Sequence, residues 1–188
     1  MNTAPQRILP ASVRTLPQLF AWRVATTPRA EAYRQFNPES SSWISTSWAE
    51  VGARVARWTE ALARLDLPRG ARIAILLPNG LDAVCIDQAA LALACVPVPL
   101  HALDNPASIA YILNDSGAAL LVTTSDTQWQ AIASVQLPLP ALRLVVVAQP
   151  APSTAPREQH AAGADLAPVA AGRGHGPRER RHAARGTG

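Results

Sequence analysis

Arg72 to Leu100, RIAILLPNGLDAVCIDQAALALACVPVPL, reads without a break as strand, helix, strand. Arg72 to Leu77 is a short, almost wholly apolar run of Ile, Ala and Leu, the composition of a strand buried on both faces of a parallel sheet. Pro78, Asn79 and Gly80 stop it. From Leu81 to Cys95 apolar residues continue for about four turns, broken only by Asp82, Asp87 and Gln88, which predicts a helix lying against that sheet. Val96, Pro97, Val98, Pro99 and Leu100 supply the next strand. Its prolines each remove an amide donor, so the strand belongs at a sheet end or has only a few paired residues. The unit is a βαβ crossover.

Working back from it, Ser47-x-x-Glu50 has the form of a capping box. Behind it Trp48, Val51, Val55, Trp58, Leu62 and Leu65 recur by three and four, with Arg54, Arg57, Glu60 and Arg64 on the other side. This is the clearest amphipathic helix in the chain. Ala32 to Phe36 and Trp43 to Thr46 form a hairpin around the turn residues Asn37 to Ser42. Thr15-x-x-Gln18 opens a first helix, with Leu16, Leu19, Phe20 and Val24 predicted as its buried face and Pro28 as its stop.

Working forward, a loop from His101 to Asn105 leads to Pro106 at a helix start, with Ile109, Ile112 and Leu113 facing inward and Gly117 as a left-handed cap. Ala119 to Thr123 is a strand, Asp126 to Val135 a short helix with Trp129 and Ile132 inside, and Leu142 to Val147 a last strand. The fold class is α/β, three layers on a mainly parallel sheet, with an N-terminal helix and β-hairpin.

The 188 residues divide into a leader over 1–14, an α/β unit over 15–148, and a linker and disordered tail over 149–188. Beyond Ala148, Leu166 and Val169 are the only large aliphatic residues. Net charge is +4, but the first 148 residues hold 11 Arg against 10 acids and the remainder 6 Arg against 3 acids, so most of the excess lies outside the folded unit. Every basic residue is Arg. The absence of Lys excludes from this chain any chemistry that needs a lysine amine, a Schiff base or a phosphate-gripping ammonium.

Cys85 and Cys95 fall ten residues apart on the predicted helix, roughly 15 Å at the helical rise, too far to bridge, and read as buried thiols. The N-terminus has no continuous apolar stretch, and no segment approaches the roughly 20 apolar residues of a membrane helix. A soluble, cytoplasmic protein is the expectation.

No metal-ligand spacing joins His101, His160, His175 or His182 to either cysteine, and no catalytic Ser/His/Asp pattern is visible, so neither a catalytic nor a metal site is assigned. Gly172, Gly174 and Gly176 have no strand before them and no apolar helix after them, and read as a flexible tail. Arg173, Arg178, Arg180, Arg181 and Arg185 form either a solvated tail or a nonspecific electrostatic surface. His101 lies just past a parallel strand, where open α/β sheets place their ligands. It reads as a surface hydrogen-bonding residue or as a ligand contact.

Four phrases from Thr15 to Val122, TLPQLF, SWAEVGARVARWTEAL, RIAILLPNG and VPVPLHALDNPASIAYILNDSGAALLV, together resemble the N-terminal part of AMP-forming acyl-CoA synthetases, most closely the long-chain fatty-acid CoA ligases. The resemblance implies an enzyme that uses ATP and magnesium to convert a fatty acid into an acyl-adenylate and then transfers the acyl group to CoA. It also implies that Leu100, His101 and Ala102 lie near CoA. The family's glycine-rich phosphate loop and its C-terminal lid with a catalytic lysine do not occur here. The expectation is therefore an N-terminal portion that is inactive alone and binds neither ATP nor magnesium, with no specific nucleic-acid partner. Ala164 to Gly172 resembles the family's linker, whereas Arg173 to Gly188 does not. Gly174 to Arg181 can be encoded by a DNA that, shifted by one base, reads Asp-Thr-Asp-Leu-Ala-Ser-Val-Val, a family-like phrase. A frameshifted or truncated gene is the corresponding expectation, and the coding DNA tests it. The alternative is a small noncatalytic α/β binding module with a basic tail.

Overall fold

The computed structural model describes residues 10–148 and the backbone of residues 166–169. Within them the chain runs α1 (Leu16–Thr26), β1 (Glu31–Asn37), β2 (Ser42–Ser47), α2 (Trp48–Ala63), β3 (Arg72–Leu76), α3 (Leu81–Ala92), β4 (Val96–Pro99), α4 (Pro106–Ser116), β5 (Leu120–Thr123), α5 (Asp126–Ala133), β6 (Leu144–Ala148) and β7 (Leu166–Val169).

The main sheet has the order β4-β3-β5-β6-β7. The first four strands are mutually parallel, and β7 joins β6 antiparallel. β4 stands at the edge, as its prolines predict. Alternation along β3 shows why its apolar run is unbroken: Ile73, Ile75 and Leu77 enter one core with Val51, Val55, Trp58 and Leu62 of α2 and Cys85, Ile86 and Ala89 of α3. Ala74 and Leu76 enter a second core with Ile109 and Leu113 of α4 and Trp129 and Ile132 of α5. With apolar layers on both sides, a polar residue in β3 would lose its hydration without recovering a partner.

Local signals explain where the helices begin and end. Both capping boxes are formed: Thr15 and Ser47 accept from the amides of Gln18 and Glu50, whose side chains return to the cap amides. Gly117 caps α4 at φ 61°, ψ 41°. The helix after β3 ends at Ala92, not Cys95, because Ala94 enters the left-handed region at φ 56°. Cys95 therefore lies outside the helix that carries Cys85, and the two thiols are both buried and free.

Two expectations change. α1 has no buried residue, and Leu16 and Leu19 are exposed. The helix lies against α2 and α3 instead of entering a layer of the sheet. Phe20 is only partly buried against the core, where it meets Trp48 edge-on at 6.1 Å. Secondly, Leu166–Val169, expected within the linker and tail, forms β7 against Val145 to Ala148 of β6. The glycine and arginine positions from Gly172 onward lie outside the described residues.

The hairpin pairs Gln35 with Ile44 and Phe36 with Trp43. Tyr33 and Thr46 turn toward the body, Tyr33 reaching Trp48 at 6.2 Å. On the opposite face Phe36 and Trp43 stack edge-on at 5.5 Å and remain exposed.

Candidate functional site

The loops after β3 and β4 leave the same end of the parallel sheet. Between them lies a cleft of about 500 Å³, lined by Leu77 to Asn79 on one side and Pro99 to Leu103 on the other. The ends of the strands hold both walls. Leu77 is buried in the α2/α3 core. Leu100 donates its N–H to Ile75 O at 2.9 Å and buries its side chain against α4.

Beyond Leu100 the backbone turns sharply, with Asp104 N–H bonded to His101 O at 3.0 Å. The turn brings the His101 imidazole out, two-thirds exposed, with Nδ1 at 3.6 Å from Asp104 Oδ1. Ala102 is half-buried, and Leu103 is 88% exposed at the mouth. The cleft therefore combines an apolar floor with a few polar groups, chiefly Asn79 and His101, as small-molecule sites do. The structure brings the three sequence-predicted residues Leu100, His101 and Ala102 into one wall. Asn79 and Leu103 also line the cleft; the loop position of each in the sequence was the available signal.

The hairpin flanks this region. A Cβ added to Gly80 would lie 3.5 Å from Gln35 Nε2. Burial pushes the Tyr33 phenol above its ordinary value, with Cys85 and Asp87 adding to the effect. Burial also raises the Asp87 carboxyl.

The chain passes from β3 outward to β4, then crosses back to β5 on the other side of β3. The topological switch point thus falls between β3 and β5, next to the cleft. There Gln128 Oε1 accepts from Thr123 Oγ1, from Thr124 N–H at 3.2 Å and from Thr124 Oγ1 at 2.9 Å. Ser125 accepts from the Gln128 amide at 3.2 Å. Ser125-x-x-Gln128 has the form of a capping box, a signal present in the sequence but not among those that predicted the helix. The Gln128 side chain ties down the end of β5 rather than the cap residue's own amide.

Fold and cleft together define a class: a doubly wound α/β unit with a ligand-sized opening at the carboxyl ends of its parallel strands. The chain belongs to the family described as AMP-binding enzyme, whose model matches residues 20–183. The match continues past Gly172, where the phrase-by-phrase resemblance ends. Relatives include the long-chain-fatty-acid–CoA ligase FadD13 of Mycobacterium tuberculosis, 29% identical over 100 residues, covering 53% of this chain and 19% of that protein. The long-chain-fatty-acid–AMP ligase FadD26 of the same organism is 28% identical over 124 residues, covering 63% of this chain and 21% of that protein. The chain thus spans about a fifth of the length of these relatives. Among solved structures, the inhibitor-bound N-terminal domain of FACL13 from M. tuberculosis superposes with a TM-score of 0.59 at 24% identity, over 67% of this chain and 31% of that one. The latter comparison concerns the fold.

Proposed function

We propose that this chain is the N-terminal portion of a fatty-acid CoA ligase and that Leu100, His101 and Ala102 form a wall on the CoA side. In the complete reaction a fatty-acid carboxylate attacks the α-phosphate of ATP, giving acyl-adenylate and pyrophosphate. The CoA thiol then displaces AMP to give acyl-CoA. The observation that carries this reading is the cleft of about 500 Å³ at the ends of β3 and β4, in a chain whose relatives include CoA and AMP ligases of long-chain fatty acids.

The residues present do not fit a triphosphate with its magnesium. The chain has no lysine, and among the described residues no three His, Cys, Asp or Glu side chains come together. Adenylation requires preorganised donors and cations on the phosphates, so no step of it is assigned to these residues. Their part is binding: Leu100 fixes the wall, Ala102 leaves room beside it, and His101 offers an imidazole to a polar group of the ligand.

The purified chain should release no pyrophosphate above background from a fatty acid, ATP and magnesium. Titration with CoA, followed by NMR at the His101 imidazole and the Ala102 methyl, should shift both. Ala102→Trp, which fills the wall, should weaken the response about tenfold or more, equivalent to 1.4 kcal/mol. Turnover by the chain alone overturns the inactive assignment. Unchanged spectra at millimolar CoA overturn the wall assignment.

A further inference from the structure

β4 pairs only with β3 among the described residues, leaving its other side as the sheet edge. In a parallel ladder successive residues address opposite sides of the strand. Val96 donates its N–H to Ala71 O at 2.9 Å and Leu100 to Ile75 O at 2.9 Å, so positions 96, 98 and 100 face β3. Positions 97 and 99 face away, and both are proline. The outward edge of β4 therefore offers carbonyl oxygens and no N–H. Its four residues contain no charge, and Val96 is 47% exposed. The usual charged protection of an edge is absent from the strand itself.

We propose that Pro97 and Pro99 close this edge to a strand from a second copy of the chain. Two copies approaching through β4 would oppose acceptors to acceptors, with no donor on either side to join them. Every inward position keeps its donor for β3, while every outward position lacks one. The same alternation leaves the ladder intact and the edge inert.

The test restores the donors. Pro97→Val, Pro99→Val and the double variant are compared with the unsubstituted chain by light scattering over a concentration series and by hydrogen exchange resolved at residues 96–100. The double variant should gain mass with concentration relative to the unsubstituted chain. Its new amides at 97 and 99 should become more protected as mass rises, with each single variant intermediate. Val96→Thr, which retains both prolines, should match the unsubstituted chain. If folded variants keep the unsubstituted chain's mass at every concentration and their new amides exchange freely, the proposal fails. Equal association by Val96→Thr overturns it as well. Should the double variant lose its far-UV circular dichroism, the single variants decide by the same two readouts.

Discussion

Ala94 holds a left-handed backbone, φ 56°, in which an L side chain costs about 1–2 kcal/mol. The neighbouring bonds explain its retention: Ala94 N–H reaches Leu91 O at 3.0 Å, and Cys95 N–H reaches Ala90 O at 2.9 Å, the paired closure of a Schellman motif. α4 solves the same problem with Gly117. Ala94→Gly should therefore stabilise the fold by about 1 kcal/mol after the entropy cost of glycine is deducted. An upward shift of the urea midpoint with unchanged slope would establish it. At Cys85, burial pushes the thiol up to about 11. As pH rises above 9, the unfolded thiol loses its proton first while the folded one retains it. This group's contribution to stability is therefore full below about pH 9 and falls between about 9 and 11, by up to roughly 1.4 kcal/mol per pH unit. Cys85→Ser should flatten that part of the stability profile, measured by denaturant titration. At pH 8 the native Cys85 should react with iodoacetamide far more slowly than the same thiol in urea.

Among elements, the contrast between α1 and α2 separates capping from anchoring. Both begin with a complete capping box, yet α2 buries Val51, Val55, Trp58 and Leu62 while α1 contributes only partly buried side chains such as Phe20. Ser47→Ala should destabilise the whole unit by about 1 kcal/mol, read as a lower global unfolding midpoint. Thr15→Ala should accelerate hydrogen exchange in Leu16–Thr26 and leave β3 amides unchanged, because α1 adds only partly buried side chains to the core and opens at a lower free energy than the sheet. Acid acts on the α2 cap in the same direction as Ser47→Ala. The Ser47 hydroxyl and amide hold the Glu50 carboxyl below the usual range, so its contribution is present above that range and is lost as pH falls through the lowered value. The hairpin packs against α2 with Tyr33 and Thr46 turned toward the body, and its Phe36 and Trp43 face remains outside either core.

For the whole molecule, the periodicity of α2, the unbroken apolar run of β3 and the prolines of β4 made the parallel α/β architecture legible from sequence. Each signal reports a surface that an element must bury or a bond it cannot make. No such signal showed that α1 would leave Leu16 and Leu19 exposed: helical spacing marks an apolar face but does not say whether a layer exists to receive it. β7 was equally hidden, since Leu166–Val169 is a four-residue segment that includes a proline and pairs with β6 across an intervening stretch of residues 149–165. At the candidate site, Leu100, His101 and Ala102 could be named from a strand end and a family resemblance. Their assembly with Leu77 to Asn79 into one cleft depends on β3 and β4 ending side by side. Amino-acid order by itself determined most of the elements, the capping boxes of α1 and α2, the lack of lysine and the two amide donors missing from β4, because these are local matters of geometry and donors. Only the tertiary structure decided which apolar faces found a partner and which loops became neighbours, because both depend on contacts between residues remote along the chain.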